Sequence, residues 1–236
     1  MIRLKSESDL AGIREACRLL NDTLAHMRPL VTAGVTTGEL DAEARSYISR
    51  LGGRPAFLGY HGFSGALCTS VNDEVIHGIP GSRRLLDGDV LSLDCGIEYR
   101  GYYSDAAITI PIGTIHESVQ TLLDVTKEAL HKGIEVARAG NRIKDISRAV
   151  YSHTKERGYG VVRQYCGHGV GFDIHEEPQV PNYVGPGANP RLKPGMVLAI
   201  EPMINLGTDD VEVLEDEWTV VTADGFSRTA ATKMQA

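Results

Sequence analysis

An internal repeat constrains the fold of this 236-residue chain more than any other feature of its sequence. The stretch that starts at Leu30 resembles the stretch that starts at Val136, at an offset of 106 residues that places Gly34 on Gly140. Further along, GDVLSLD matches GMVLAIE, and each reads as a turn glycine, a buried strand and a carboxylate. Several matches in the same order favour duplication over chance. Two repeats of this length predict a pseudo-symmetric domain, since a solenoid needs three or more short units.

Local patterns predict the same kinds of element in both halves. Apolar residues at helical spacing and a capping box indicate helices over 7–28, from Thr36–Glu39 to about Gly52, over 117–137 and over 142–157. Apolar, β-branched runs predict strands over 89–98, 102–110, 161–166, 196–204 and 211–221. Helices followed by strands, twice, predict an α+β fold in which two helix pairs cover antiparallel sheet. Because no low-complexity linker separates the halves, roughly 7–110 and 117–221, we expect one domain over 1–236.

Composition excludes several classes of function. A net charge of −7 argues against nucleic acid as a partner, because no basic excess is present to neutralise phosphates. No apolar run reaches membrane-spanning length, and the charged N-terminal residues do not form a signal peptide. The four cysteines form no C-x-x-C pair, so neither a zinc ribbon nor a disulfide framework is indicated. We expect a cytoplasmic protein that does not bind membranes.

Acidic residues within apolar stretches are the strongest chemical signal. Asp94 ends a predicted buried strand, and Asp105 follows in the next strand after a turn at Arg100–Gly101. A buried carboxylate needs a compensating group, which for a single aspartate is usually an arginine or backbone amides. Two aspartates, with Glu201 at the duplicated position and His168 as a fourth group, favour a metal such as Mn, Fe, Co or Zn. The carboxylate-rich set also suits two ions about 3.5–4 Å apart.

The segment GHGVGFDIHEEPQV, which starts at Gly167, contains two histidines among alternating glycines. It does not match the G-x-G-x-x-G pattern of a dinucleotide site, and its prolines exclude a regular helix. His168 and His175 are therefore candidates for a ligand or catalytic pair. His77, in a loop after a strand, is a third candidate. Taken alone, His77 and His175 are more typical of surface or hydrogen-bonded structural histidines than of catalytic ones.

The chain resembles a known family, the methionine aminopeptidases in their short bacterial-type form, from about Leu4 to Val221. Five motifs stand in the family's order: YHGF…CTSVNDEVIHGIP, DGDVLSLDCGIEYRGYYSDAA, GHGVGFDIHEEPQV, LKPGMVLAIEPMIN and EDEWTVVT. The resemblance implies the pseudo-two-fold "pita-bread" fold. It also implies a cytoplasmic metalloaminopeptidase that acts on peptides and nascent proteins, as a monomer, with docking on the ribosome left open.

The resemblance assigns roles to individual residues. The implied ligands of two divalent ions (Co, Mn, Fe or Zn) are Asp94, Asp105, His168 and Glu201. The implied catalytic groups are His77 and His175, which contact substrate and stabilise the tetrahedral intermediate, and Glu201, which accepts a proton when a metal-bound hydroxide attacks the carbonyl. The implied methionine pocket consists of Tyr60, Phe63, Cys68, Met203 and Trp218. For Cys68 and Met203, plain core packing is an open alternative.

Some positions depart from the family pattern. Phe57, Phe63 and Ile174 stand where cysteine, tyrosine and phenylalanine are usual, which questions strict selectivity for methionine. The family's final strand carries a glutamate that bridges both ions, and no glutamate follows Glu217 here. A sequence cut short and a genuine end are both open, and a genuine end predicts weak binding of the second ion. A proline-directed peptidase and a non-catalytic binding module of the same fold are the alternative functions.

Overall fold

A computed structural model describes residues 1–225, 229–231 and 233–235 of the chain. The helices are α1 (Glu7–Met27), α2 (Thr37–Arg50), α3 (Glu117–Val136) and α4 (Ile143–Lys155), with 3-10 turns at Arg28–Leu30 and Tyr60–Gly62. The strands are β1 (Arg54–Pro55), β2 (Leu67–Val71), β3 (Glu74–Ile76), β4 (Val90–Tyr99), β5 (Tyr102–Pro111), β6 (Gly160–Val161), β7 (Gly167–Gly169), β8 (Glu176–Val180), β9 (Leu198–Ile200), β10 (Met203–Asn205), β11 (Val211–Val213), β12 (Val220–Thr222), β13 (Thr229–Ala231) and β14 (Met234–Gln235). Among these residues, no helix has the length and apolar character that crossing a membrane requires.

The four predicted helices are confirmed, each with ends within two residues of the expected ones. Local chemistry explains their starts. The Thr36 side chain accepts a hydrogen bond from the backbone N–H of Glu39, and the Glu39 carboxylate accepts one from the backbone N–H of Thr36. Ser6 and Asp9 form the same reciprocal cap at the start of α1. These caps satisfy amide groups that a helix leaves without an intrahelical partner.

The hairpin of β4 and β5 is the centre of the first half. Arg100 and Gly101 both have positive φ, 52° and 84°, which suits a two-residue hairpin turn. The register places Asp94 opposite Ala107, two residue pairs away from Asp105. Since side chains on a strand alternate between faces, both aspartates lie on the same face of the hairpin. Asp94 lies inside β4, so the expectation that it ends a strand is wrong, because pairing with β5 continues to Tyr99.

Strand predictions for the second half are only partly correct. Of the predicted strand 161–166, only the first residue pairs regularly, as part of β6. The run 196–204 divides into β9 and β10, with Pro202 between them, because proline has no N–H for the ladder. The run 211–221 divides into β11 and β12, which pair with each other. In the sheet that contains the start of the GHGVGFDIHEEPQV segment, the strand order is β14–β9–β7–β8.

Each helix pair packs over its own apolar cluster. One cluster combines α1 and α2 with β2, β4 and β5, and includes Met27 and Leu93. Another combines α3 and α4 with β8 and β9, and includes Leu130 and Ile200. Helix pairs on antiparallel sheet confirm the α+β class. The strands of the two halves meet at the predicted ligand residues Asp94, Asp105, His168 and Glu201.

Candidate metal centre

The four predicted ligand side chains come together from both halves of the chain. Asp94 and Asp105 come from the β4–β5 hairpin, His168 from the middle of β7, and Glu201 directly follows β9. Pairing of His168 with Ala199 fixes the register between β7 and β9. Asp94, His168 and Glu201 line a cleft of about 580 Å³, and Asp105 is completely buried beneath it.

His168 presents its Nε2 atom to the carboxylates. Its Nδ1 lies 2.8 Å from the carbonyl oxygen of Gly169, which can only accept, so Nδ1 donates the hydrogen bond. Nε2 lies 3.3 Å from Asp105 Oδ2 and 3.0 Å from Glu201 Oε1. A backbone carbonyl that holds one ring nitrogen and leaves the other for an ion is the usual arrangement around a ligating histidine.

A lysine that the sequence analysis did not identify lies in the centre. The Nζ atom of Lys233 is 2.9 Å from Asp105 Oδ1, 3.0 Å from Asp94 Oδ2 and 3.5 Å from Glu201 Oε2. Its side chain is 7% exposed. The backbone of Lys233 exchanges hydrogen bonds of 3.2 and 3.3 Å with Ala107 of β5, which aligns it beside the strand that carries Asp105. No local pattern in the sequence marks this lysine.

Strong coupling among these groups shifts their pKa values. Burial raises the pKa of Asp94 to about 7, against the opposing effect of Lys233. Burial also acts to raise the pKa of Asp105, but the positive charges of Lys233 and His168 outweigh it and hold that pKa below its ordinary value. Burial acts to lower the pKa of His168, yet Glu201 and Asp105 raise it to about 10. For Lys233 the three carboxylates likewise outweigh burial and raise the pKa.

The donor set fits a divalent metal ion. His168 Nε2 and Glu201 Oε1 are buried and face each other at 3.0 Å. Neighbouring ligands that each lie about 2.1 Å from an ion are separated by roughly 3.0–3.4 Å, and the two contacts of Nε2 fall in this range. Ligation requires a neutral imidazole, so binding of an ion would release the His168 proton. Asp105, His168 and His175 also offer ligand atoms within 4.8 Å of one another.

His77 and His175 both line the cleft that contains this centre. His77 follows β3 with a φ of 60°, a left-handed conformation that few residues other than glycine adopt. Burial and the charge of Lys233 lower the pKa of His77 to about 4. His175 is exposed at the mouth of the cleft, and its Nδ1 lies 2.9 Å from the Tyr60 hydroxyl. Desolvation by the cleft walls and the charge of His168 lower the pKa of His175 to about 4.

Aromatic and apolar side chains form the rest of the cleft. Of the predicted pocket residues, Tyr60, Phe63, Met203 and Trp218 line it. The rings of Phe63 and Trp218 meet edge to face at 5.0 Å. Cys68 does not line the cleft and packs behind it in the cluster of Phe63. The lining residues that sequence reasoning missed include Ile76, Tyr165 and Gln164, which come from segments without a distinctive pattern.

Two of the unusual positions belong to the same wall. Phe57 and Ile174 are buried and share a cluster with Phe63. Gly96 of β4 leaves room for them, since a Cβ there would lie 2.7 Å from Phe57 Cε1 and 3.0 Å from Ile174 Cδ1. The shape of this wall therefore depends on the absence of a side chain at Gly96.

Comparison with known proteins gives consistent similarities. The sequence pattern of metallopeptidase family M24 matches residues 11–224. Methionine aminopeptidase 1 of Bacillus subtilis (strain 168) is 48% identical over 225 residues, which cover 95% of this chain and 91% of that protein. The crystal structure of methionine aminopeptidase from Rickettsia prowazekii superposes with a TM-score of 0.96 at 36% identity, covering 100% of this chain and 95% of that one. That of Thermotoga maritima gives 0.96 at 39% identity, with coverage of 100% and 94%.

Proposed function

The chain belongs to the methionine aminopeptidases of metallopeptidase family M24, and on this premise we propose that it removes the N-terminal methionine from peptides and nascent proteins. One observation in the structure supports the proposal most strongly. Carboxylates and an imidazole from both halves of the chain meet at the floor of a cleft whose walls are aromatic and apolar. The family relationship accounts for the same set of residues.

We propose that divalent metal binds at the centre formed by Asp94, Asp105, His168 and Glu201, with Co, Mn, Fe and Zn as the candidates that this donor set accommodates. A bound divalent ion supplies Lewis acidity, which polarises a substrate carbonyl and lowers the pKa of water. The resemblance predicts two ions. Glu201 Oε1 lies at the centre, 3.0 Å from His168 Nε2, and we propose that this carboxylate accepts a proton from the attacking water.

His77 and His175 would act as neutral hydrogen-bond donors. With pKa values of about 4, both rings are uncharged at neutral pH and carry one proton each. When His175 Nδ1 accepts a hydrogen bond from the Tyr60 hydroxyl, the proton of the neutral ring is on Nε2. A donor above the centre stabilises the negative charge that develops on the carbonyl oxygen during attack, which is a large contribution to catalysis of acyl transfer.

The apolar walls would select the first side chain of the peptide. Tyr60, Phe63, Met203 and Trp218 offer aromatic and thioether surface, on which the flexible thioether of methionine packs favourably. Cys68 would support this pocket from behind through Phe63. Phe57 and Ile174 contribute bulk to the same wall, so we expect the pocket to disfavour side chains with a branched β-carbon.

Release of methionine from the tripeptide Met-Ala-Ser tests the function. Metal-stripped protein should be inactive, and addition of Mn²⁺ or Co²⁺ should restore release of free methionine. His168→Ala should abolish activity, whereas the control His131→Ala, an exposed histidine on α3, should keep it. Release that persists in a strong chelator would refute the metal centre.

The same assay separates the alternative functions. Cleavage of Xaa-Pro peptides in preference to Met-Ala-Ser would favour a proline-directed peptidase. A protein that binds no metal and turns over neither peptide would be a non-catalytic module. Action on nascent chains, docking on the ribosome, a monomeric state and a cytoplasmic location stay predictions.

A further inference from the structure

We propose that the centre holds a single divalent ion on its imidazole side and that the ammonium group of Lys233 permanently fills a second cation position. The inference deepens the proposed function and rests on it, because it concerns how many ions the same ligands take. It concerns a residue that neither the motifs nor the comparisons mark.

The carboxylate oxygens divide between two positions. Asp105 directs Oδ1 toward Lys233 Nζ and Oδ2 toward His168 Nε2, at 2.9 and 3.3 Å. Glu201 does the same, with Oε2 3.5 Å from Nζ and Oε1 3.0 Å from Nε2. Two carboxylates that each serve two positions are the arrangement of a centre for two cations. The ammonium occupies one of those positions.

Asp94 belongs to the lysine side. Both of its oxygens contact Nζ, at 3.0 and 3.3 Å. The ligand atoms directed at the remaining position are Asp105 Oδ2, His168 Nε2 and Glu201 Oε1. A single ion there would not need Asp94, which instead holds the ammonium in place.

The backbone anchors Lys233 on the strands that carry the ligands. Its own amide and carbonyl pair with Ala107 of β5, two residues from Asp105. The next residue, Met234, pairs with Ile200 at the end of β9, directly before Glu201. Withdrawal of the ammonium would therefore require rotation of a buried side chain or separation of this strand from two neighbours. A lysine that merely extended into the centre from the surface would not have these two backbone pairings.

Charge balance also favours one ion. The centre contains three carboxylates, and its floor is shielded from water, so net charge there is costly. One divalent ion and one ammonium balance these three negative charges when His168 is neutral. Two divalent ions beside the ammonium would leave an excess of two positive charges. A second ion therefore needs the ammonium to leave.

Binding of Mn²⁺ to the metal-stripped 236-residue chain tests the inference. Equilibrium dialysis gives the number of ions per chain, and electron paramagnetic resonance distinguishes an isolated Mn²⁺ from a coupled pair. The wild type should bind one Mn²⁺ with the spectrum of an isolated ion. Lys233→Met keeps an unbranched side chain that is one atom shorter and removes the charge, and should bind a second Mn²⁺ with the spectrum of a coupled pair.

Matched variants assign the positions. Asp94→Asn should keep the one ion of the wild type, whereas His168→Ala should weaken its binding at least tenfold. Lys193→Met, an exposed lysine outside the centre, is the control and should bind one ion. Circular dichroism and a thermal melt establish that each variant is folded before its stoichiometry is interpreted.

The outcomes separate the two proposals. Two ions in the wild type, together with release of methionine, would overturn the role of Lys233 and leave the proposed function intact. One ion in both the wild type and a folded Lys233→Met protein would also overturn it, since the ammonium would not be what excludes the second ion. A wild type that binds no ion and releases no methionine would refute the proposed function itself.

Discussion

Replacement of Lys5 by methionine should destabilise the protein by about 3 kcal/mol and reduce its activity. Lys5 Nζ lies 2.7 Å from Glu176 Oε2, and the two side chains are only 1% and 2% exposed. Glu176 also accepts hydrogen bonds from the backbone amides of Phe172 and Asp173, at 2.6 and 3.1 Å. The pair thus ties the segment before α1 to the loop that leads to His175.

The magnitude follows from what the variant leaves behind. Removal of one partner of a buried ion pair typically costs about 3–5 kcal/mol, because the other charge stays buried. Two backbone amides and Arg3, 3.2 Å from Glu176 Oε1, would still stabilise the carboxylate, which places the loss near the lower end. For a domain of this size, about 3 kcal/mol corresponds to a fall of roughly 6–12 °C in Tm.

Urea unfolding followed by circular dichroism measures the loss, and kcat/KM on Met-Ala-Ser measures the effect on the site. The matched control is Arg18→Met, which breaks an exposed pair with Glu15 and should cost less than about 0.5 kcal/mol. A loss below about 1 kcal/mol for Lys5→Met would refute the reasoning, because the loop would then accommodate Glu176 without its lysine.

Three further predictions concern the cleft wall and acid stability. Gly96→Ala should raise KM for Met-Ala-Ser severalfold, because its Cβ would lie 2.7 Å from the Phe57 ring, and an unchanged KM would contradict the wall described here. Trp218→Ala should raise KM for Met-Ala-Ser, since the indole packs against Phe63 in the proposed methionine pocket and meets the His77 ring edge to face with 6.3 Å between centroids; a fall in kcat without a rise in KM would count against this role. Burial acts to raise the pKa of Asp209, but hydrogen bonds from a lysine, an arginine and a backbone amide hold that pKa below its ordinary value of 3.8. The contribution of Asp209 to stability is therefore present above pH 3.8 and is lost as the pH falls through the lower pKa of the folded state. Thermal melts of Asp209→Asn should therefore show a deficit of about 1–2 kcal/mol at pH 7 that shrinks near pH 3, and an equal deficit at both would be inconsistent with it.

Much of the fold was predictable because its signals are local. The caps at Ser6 and Thr36, the periodic apolar residues and the turn at Arg100–Gly101 each depend on contacts within a few residues. Strands were predicted less well in the second half. An apolar run such as 196–204 indicates burial, but only the positions of partner strands decide which residues pair, and Pro202 interrupts the ladder.

The candidate site was predictable as a set of residues and not as an arrangement. The repeat and the motifs pointed to Asp94, Asp105, His168 and Glu201, and the structure brings these side chains together. Cys68 was grouped with the pocket on the same grounds, yet its place behind Phe63 depends on which side of β2 faces the cleft. The position of Cys68 in the sequence does not show which side of β2 faces the cleft.

The sequence by itself determined the α+β class, the duplicated helix pairs and the acidic and imidazole groups available for a metal, because these follow from residue type and short-range periodicity. Only the tertiary structure decided which oxygen of each carboxylate faces which cation. Lys233 is 128 positions from Asp105 along the chain, and they meet because the backbone of Lys233 pairs with Ala107 on β5. Such a contact arises from strand register across the whole fold, so no local pattern could reveal that a lysine lies among the three carboxylates.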